Sequence, residues 1–448
     1  MIMQGMTRRH FMTHVAGASA LAIPGMQFLS GLRAAEQTLK KENKSLIILW
    51  MGGGPSHLDL WDLKPGSQNG GEFKPIKTKA DGLQISEVLP TIADQMQHLS
   101  IVRSLVTNEG SHDRGTVLMN TGKQPNPVVQ FPAMGAVASS LLTSKDLPLP
   151  GFIGVGGVAQ RIGPGFLGMA YAPFTVQNPG QPPENVSPPG SLGTGDDQEE
   201  RLRRRQRLFS TLEGDFGDEA FPTLKTPESR EAAGSAAQAH EGIYKKGFDL
   251  TISPLKDVFN VKDEKKETID MYGGARNNFG MGCLLARKLV EKGVTCVEVD
   301  LGGWDNHAQV FNAIRGTGNN MGNGNRLDKG MGALVKDLVD RGMWKNTVVL
   351  WMGEFGRTPK INQNNGRDHW ARVWSVVVGG GAIQGGQVYG ATSADGTDPD
   401  TSAVPTASLG DLFATVYKGM GLDPTTQIRD NLGRPLSIAE GKPLKGLV

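Results

Sequence analysis

Cysteine is nearly absent. The 448-residue chain holds two, Cys283 and Cys296. That excludes a disulfide scaffold and every multi-cysteine haem or iron–sulfur motif. Cys283 falls in a helical pattern and Cys296 in an apolar strand, so both are expected as buried free thiols. Excess charge of one sign is lacking too. The formal net charge is +2, and Arg8, Arg9 and Arg33 all lie in the N-terminal segment, so the remainder is close to neutral. This argues against nucleic acid or an anionic membrane surface as the main partner. Beyond residue 35 no apolar run is long enough to span a bilayer, and no internal repeat is visible. Glycine is plentiful, at 61 residues, which suits tight loops around a site.

The N-terminus carries Thr7-Arg8-Arg9-His10-Phe11-Met12, then the uncharged apolar stretch Val15–Leu32, then Ala34-Ala35. A charged start, a short apolar middle and a small-residue exit make a secretory signal. The paired arginines point to the twin-arginine route. Gly17, Pro24, Gly25 and Gly31 make the stretch a poor membrane anchor. Residues 1–35 are therefore expected to be a cleaved signal, with residues 36–448 as a single exported domain, periplasmic or extracellular.

Past that point the pattern is α/β. Short apolar runs at Ser45–Met51, Leu99–Leu105, Val294–Leu301, Thr347–Met352 and Val373–Val378 read as buried strands. Helical patterns at Arg114–Asn120, Gln130–Leu142, Asn277–Lys292, Leu327–Arg341 and Ser408–Met420 alternate with them. That order predicts a mainly parallel sheet covered on both faces. An insertion is expected at about residues 150–270. Its first part, from Gly151 to about Gly195, is rich in glycine and proline and reads as irregular loop. Gln198–Leu212 reads as a solvated basic helix, and Thr226-Pro227 opens a further helix running to about Lys246.

In open α/β sheets, ligands bind beyond the carboxyl ends of the strands. The first strand is followed by His57, Asp59 and Asp62, the second by Glu109, Ser111, His112, Asp113 and Arg114. Val294–Leu301 leads to Asp305 and His307, and Thr347–Met352 to Glu354, Arg357, Arg367, Asp368 and His369. Of the six histidines after the signal, four (57, 112, 307 and 369) thus sit in post-strand loops near an aspartate. Imidazole and carboxylate drawn from several loops form a ligand set for zinc, manganese or iron. His57, Asp59, Asp305, His307, Asp368 and His369 are the candidate metal ligands. His57 and Asp59 are two apart, as are Asp305 and His307, so in extended chain both members of each pair face one way. Arg114, Arg357 and Arg367 are candidates to grip a phosphate or sulfate by a bidentate fork. His98 and His240 lack acidic company and read as structural or surface residues.

The segments GGGPSHLDLWD at 52–62, SHDRGTVLMNTG at 111–122, GGWDNHAQ at 302–309 and GEFGRTP with GRDHW at 353–370 resemble the domain of unknown function 1501 family, within the alkaline-phosphatase and sulfatase-like superfamily. The loop GFLGMAYAPF at 165–174 resembles that family's middle region. The resemblance implies an alkaline-phosphatase-like three-layer sandwich with a central, mostly parallel sheet. It also implies hydrolysis of phosphate or sulfate esters at a one- or two-metal site. The superfamily's nucleophile stands at the start of a helix, where backbone N–H groups favour negative charge. Aligned on Thr121-Gly122, that position holds His112, with Ser111 beside it. The superfamily's aspartate after the first strand is replaced by Met51-Gly52, and its Asp-His-Gly by Glu354-Phe355-Gly356. His369 matches the final histidine.

The expected activity is therefore an exported metallohydrolase of small-molecule or glycan esters, with a divalent metal, zinc, manganese or calcium, as cofactor. His112 would be nucleophile or ligand, Glu354 ligand or base, and Arg114 and Arg357 substrate clamps. The alternative is a non-catalytic protein of the same fold that binds a ligand or an exported protein partner.

Overall fold

The computed structural model describes residues 43–448 apart from 182, 184–185, 187–196, 220–246, 248–249, 252 and 403. The N-terminal signal, the helix expected from Thr226 and His240 lie outside the described residues.

Eight strands form the central sheet: β1 Ser45–Trp50, β2 Leu99–Leu105, β3 Phe152–Val155, β4 Phe174–Val176, β5 Cys296–Asp300, β6 Thr347–Met352, β7 Trp374–Gly380 and β8 Val388–Tyr389. Their order is β8-β2-β7-β6-β1-β5-β3-β4. β1 lies parallel between β6 and β5. Only β7 runs against its neighbours, antiparallel to β6 and to β2.

Strand alternation divides the core into two layers. Ile47, Leu49, Val297, Val349 and Trp351 face the helices Asn278–Glu291 and Asn323–Asp340. Leu46, Ile48, Cys296, Val348 and Leu350 face the helices Met134–Leu142 and Leu409–Gly419. Central strands buried on both sides read as continuous apolar runs for this reason. Each fully buried large apolar side chain contributes about 1.5–3 kcal/mol. The result is a three-layer sandwich, the architecture implied by the family resemblance. Cys283 and Cys296 are both buried and unbridged.

One segment departs from expectation. The Gly/Pro-rich stretch after Gly151, read as irregular, contributes β3 and β4, which extend the sheet beyond β5. Phe152, Ile153, Val155 and Val176 are buried there. These strands are four and three residues long, too short for periodicity to stand out against the surrounding glycine and proline. No helix of the described residues is long and apolar enough to cross a membrane.

The topology gathers the loops. The carboxyl ends of β1, β2, β5 and β6 open on one edge of the sheet. Because β7 is reversed, the segment that enters it, rather than the one that leaves it, lies on that same edge. That segment carries Arg367, Asp368 and His369. It is pinned by a two-residue antiparallel ribbon in which Arg357 pairs with His369 and Gly356 with Trp370.

Candidate metal centre

His112 is the first residue of the helix His112–Thr121, which ends at Gly122 in the left-handed region. Asp305 and His307 lie in the loop after β5, Glu354 and Arg357 follow β6, and Asp368 and His369 precede β7. Asp305 is the hub. Its Oδ1 lies 3.1 Å from His307 Nε2 and 3.2 Å from His369 Nε2, and its Oδ2 3.4 Å from His112 Nε2. The two facing nitrogens, His307 Nε2 and His369 Nε2, are 3.1 Å apart. One ligand atom from each of His112, Asp305 and His369 fits within 4.8 Å.

The opposite edge of each imidazole is anchored to an acceptor. His112 Nδ1 lies 2.8 Å from Glu354 Oε1, His307 Nδ1 2.6 Å from Asp368 Oδ1, and His369 Nδ1 2.8 Å from the Gly110 carbonyl. A carbonyl or carboxylate only accepts, so each Nδ1 carries the proton and donates. A neutral ring then presents a bare lone pair at Nε2. With neutral rings, these lone pairs and the Asp305 carboxylate face one another, an arrangement that a cation would relieve. The distances from Asp305 to His307, His369 and His112 are close to the ~3.3 Å ligand–ligand edge of a zinc-class ion, and the three that converge on one point are His112, Asp305 and His369, with His307 set beside Asp305 and His369. The residues present therefore fit a divalent metal, and the outer partners Glu354, Asp368 and the Gly110 carbonyl orient the ligands as such partners do.

Arg357 is the centre's built-in cation. Its Nη2 donates to Asp305 Oδ1 at 2.5 Å and to the Gly53 carbonyl. Its Nε donates to the Gly54 carbonyl at 2.8 Å and its Nη1 to that of Arg367 at 3.0 Å. Partial burial pulls the Asp305 carboxyl up, but the hydrogen bond and charge of Arg357 outweigh it and hold the group at about 2. The His307 hydrogen bond likewise lowers Asp368.

The other expected site residues are placed elsewhere or given other tasks. Asp59 does not face Asp305. Its two oxygens accept from Arg367 Nε at 2.7 Å and Nη2 at 3.0 Å, and both side chains are fully buried. Arg367 also donates to the Thr358, Pro359 and Asn69 carbonyls, so it has no fork left for a substrate. His57 is buried with neither ring nitrogen hydrogen-bonded, and burial lowers its pKa to about 4. It packs under Gly356 rather than among the Nε2 atoms. Glu354 is buried and orients His112 instead of facing the open side. Arg357 commits four of its five N–H donors to Asp305 and three carbonyls, which leaves it no bidentate fork. Arg114 is exposed and pairs with Glu109 Oε2 at 2.6 Å. Ser111 is the exposed N-cap of the His112 helix and makes no side-chain capping bond. His98 stacks edge-on against Trp344, away from the centre.

Three contributors escaped the sequence. Gly53 donates its N–H to Glu354 Oε1 at 2.7 Å. The Gly110 carbonyl holds His369. Asn362 Nδ2 donates to the His307 carbonyl at 3.0 Å and to Asp368 Oδ1 at 3.2 Å. Two act through backbone atoms that every residue carries, so their type gives no signal. The glycine run after β1 was the one visible hint.

Fold and site together define an α/β sandwich protein with an imidazole–carboxylate centre at the carboxyl edge of its sheet. The chain belongs to the family described as protein of unknown function (DUF1501), which matches residues 43–448. No curated protein sequence matches it. Similar solved structures include a protein in the alkaline phosphatase superfamily from Vibrio parahaemolyticus, at 14% identity and TM-score 0.34, covering 85% of this chain and 66% of that one. The lipoteichoic acid synthase LtaP from Listeria monocytogenes aligns at 10% identity and TM-score 0.35, covering 85% and 72%. The PsFucS1 sulfatase from Pseudoalteromonas sp. aligns at 11% and 0.31, covering 86% and 72%.

Proposed function

We propose that this protein is an exported metallohydrolase of phosphate or sulfate esters. One observation carries the reading: three histidines, each held at Nδ1 by an acceptor, turn bare Nε2 atoms onto a single carboxylate. His112, Asp305 and His369, with His307 beside them, would hold the ion. Imidazole-rich donors suit zinc, manganese or iron, whereas calcium takes six to eight oxygens. Calcium therefore drops out of the expected set. A zinc-class ion polarises an ester oxygen and lowers the pKa of water towards ~7. Glu354 and Asp368 fix the tautomers of His112 and His307. Arg357 locks Asp305 in place and offsets its charge. Ser111, exposed beside His112 at the start of a helix, supplies a hydroxyl next to the centre's first histidine.

Metal analysis of the purified protein is expected to find about one zinc-class ion per chain. Chelation is expected to abolish turnover of aryl phosphate or aryl sulfate, and His307→Ala to lose both ion and turnover. No stoichiometric metal, or chelator-resistant turnover, rules the proposal out. Binding without turnover is the second reading. It draws support from Arg357, which has four of its five N–H donors engaged and so keeps no bidentate fork for an ester. Ligand binding that survives His112→Ala, with no turnover in the wild type, would select it.

A further inference from the structure

Strand β5 carries two acids that the candidate centre does not use. Cys296, Glu298 and Asp300 alternate onto one of its faces, the face turned to the helix Met134–Leu142. Glu298 is 1% exposed, and neither of its carboxyl oxygens has a hydrogen-bond partner among the described residues. A buried carboxyl without a partner is stable only as the neutral acid. Burial first, and then the charge of Asp300, holds Glu298 well above the usual carboxylate range.

Asp300, at the end of the strand, does have partners. Its Oδ2 accepts from the Gly157 N–H at 2.7 Å and the Val158 N–H at 2.8 Å. These groups open the short helix Val158–Ile162, whose N-cap, Gly157, has no side chain to cap it. The fit is close, since a Cβ on Gly156 would stand 2.4 Å from Asp300 Oδ2. Ala159 lies over Gly154, the β3 partner of Glu298. The far end of this strap packs beside the helix His112–Thr121. There Arg161 donates to Asp113 Oδ1 at 2.8 Å, one residue from His112. Both of those side chains are exposed, so their pairing adds little hold. Asp300 is thus a tie between β5 and a strap that flanks the candidate centre. The ionisable groups around it are Glu298 and Cys296 on β5 and Arg161 on the strap. β1 presents Ile48 and Trp50 to this face, β3 presents Phe152 and Gly154, and the helix Met134–Leu142 has no ionisable side chain.

We propose that Asp300 is a pH-sensitive latch, which holds the strap Gly157–Ile162 closed when protonated and loosens it when ionised. Burial raises the Asp300 carboxyl, the two N–H bonds and Arg161 oppose this, and the balance lies at about 6. An Asp300 released to water titrates near ~4. The closed strap therefore holds the extra proton. Closure is favoured most below ~4, weakens about tenfold per pH unit as the pH rises to about 6, and changes no further above it.

Hydrogen exchange of the intact protein tests this, read by mass spectrometry on peptides covering Gly157–Ile162 at about pH 5 and about pH 7.5 and corrected for intrinsic exchange. Protection there is expected to fall about tenfold at the higher pH, while the helix Asn323–Asp340 keeps its protection. Asp300→Asn accepts the same two N–H groups at every pH and should remove the step. Glu298→Gln should keep it, because Glu298 is neutral throughout. Equal protection at both pH values overturns the proposal. A step that survives Asp300→Asn, one that is lost in Glu298→Gln, or a fall shared by every peptide does so too. If Asp300→Asn does not fold, the wild type and Glu298→Gln still decide the matter.

Discussion

Asp59 and Asp305 are the same residue type, each two positions from a histidine, yet they do opposite things. The segment His57–Leu60 is helical, so neighbours two apart point to different sides. Asp59 turns inward to Arg367. Asp305 and His307 lie in non-helical chain, and both face the centre. The difference is testable. Asp59→Asn leaves a fully buried guanidinium without its counter-charge and is expected to cost ~3–5 kcal/mol of stability. Urea unfolding would show this, while metal content per folded chain stays unchanged. Loss of metal from a stable Asp59→Asn protein would return Asp59 to the ligand set.

At the scale of elements, the centre depends on how closely strand ends approach one another. Gly53 follows β1 at φ 111°, and a Cβ there would stand 2.4 Å from the Asp305 nitrogen. The same residue donates to Glu354 and accepts from Arg357. Gly53→Ala is therefore expected to displace the Asp305 loop and weaken metal affinity ~10–100-fold, the usual effect of disturbing a ligand's supports. Competitive chelator titration measures it. Gly66→Ala serves as the control, since a Cβ there meets nothing within 4 Å. The reversed strand β7 is the other element-scale device, because it delivers His369 to the edge where the parallel strands end.

At the scale of the whole molecule, the side chains of the centre come from positions as far apart as His112 and His369 and meet only after the sandwich has formed. The proposed twin-arginine route would carry such a centre across already folded. Substitution of both Arg8 and Arg9 by Lys is expected to hold the protein in the cytoplasm. Cell fractionation reads this directly, and unaltered export would remove the twin-arginine assignment.

Much was legible beforehand. The central strands stood out because burial on both faces leaves uninterrupted apolar runs, as in Thr347–Met352. Three histidines of the centre were legible because loops after strands in such sheets carry function. The strands β3 and β4, at one end of the sheet, were hidden by their shortness and by neighbouring glycines. The roles of His57, Asp59, Glu354 and Arg367 were hidden because a side chain's partner is set by distances in space.

The sequence by itself determined the family, the α/β class and the neighbourhoods from which the chemistry is drawn, because periodicity and residue type are local properties. Only the tertiary structure decided which histidines converge, which carboxylate they share and which arginines are already occupied. Those outcomes depend on strand order, on the reversal of β7 and on contacts between residues hundreds of positions apart.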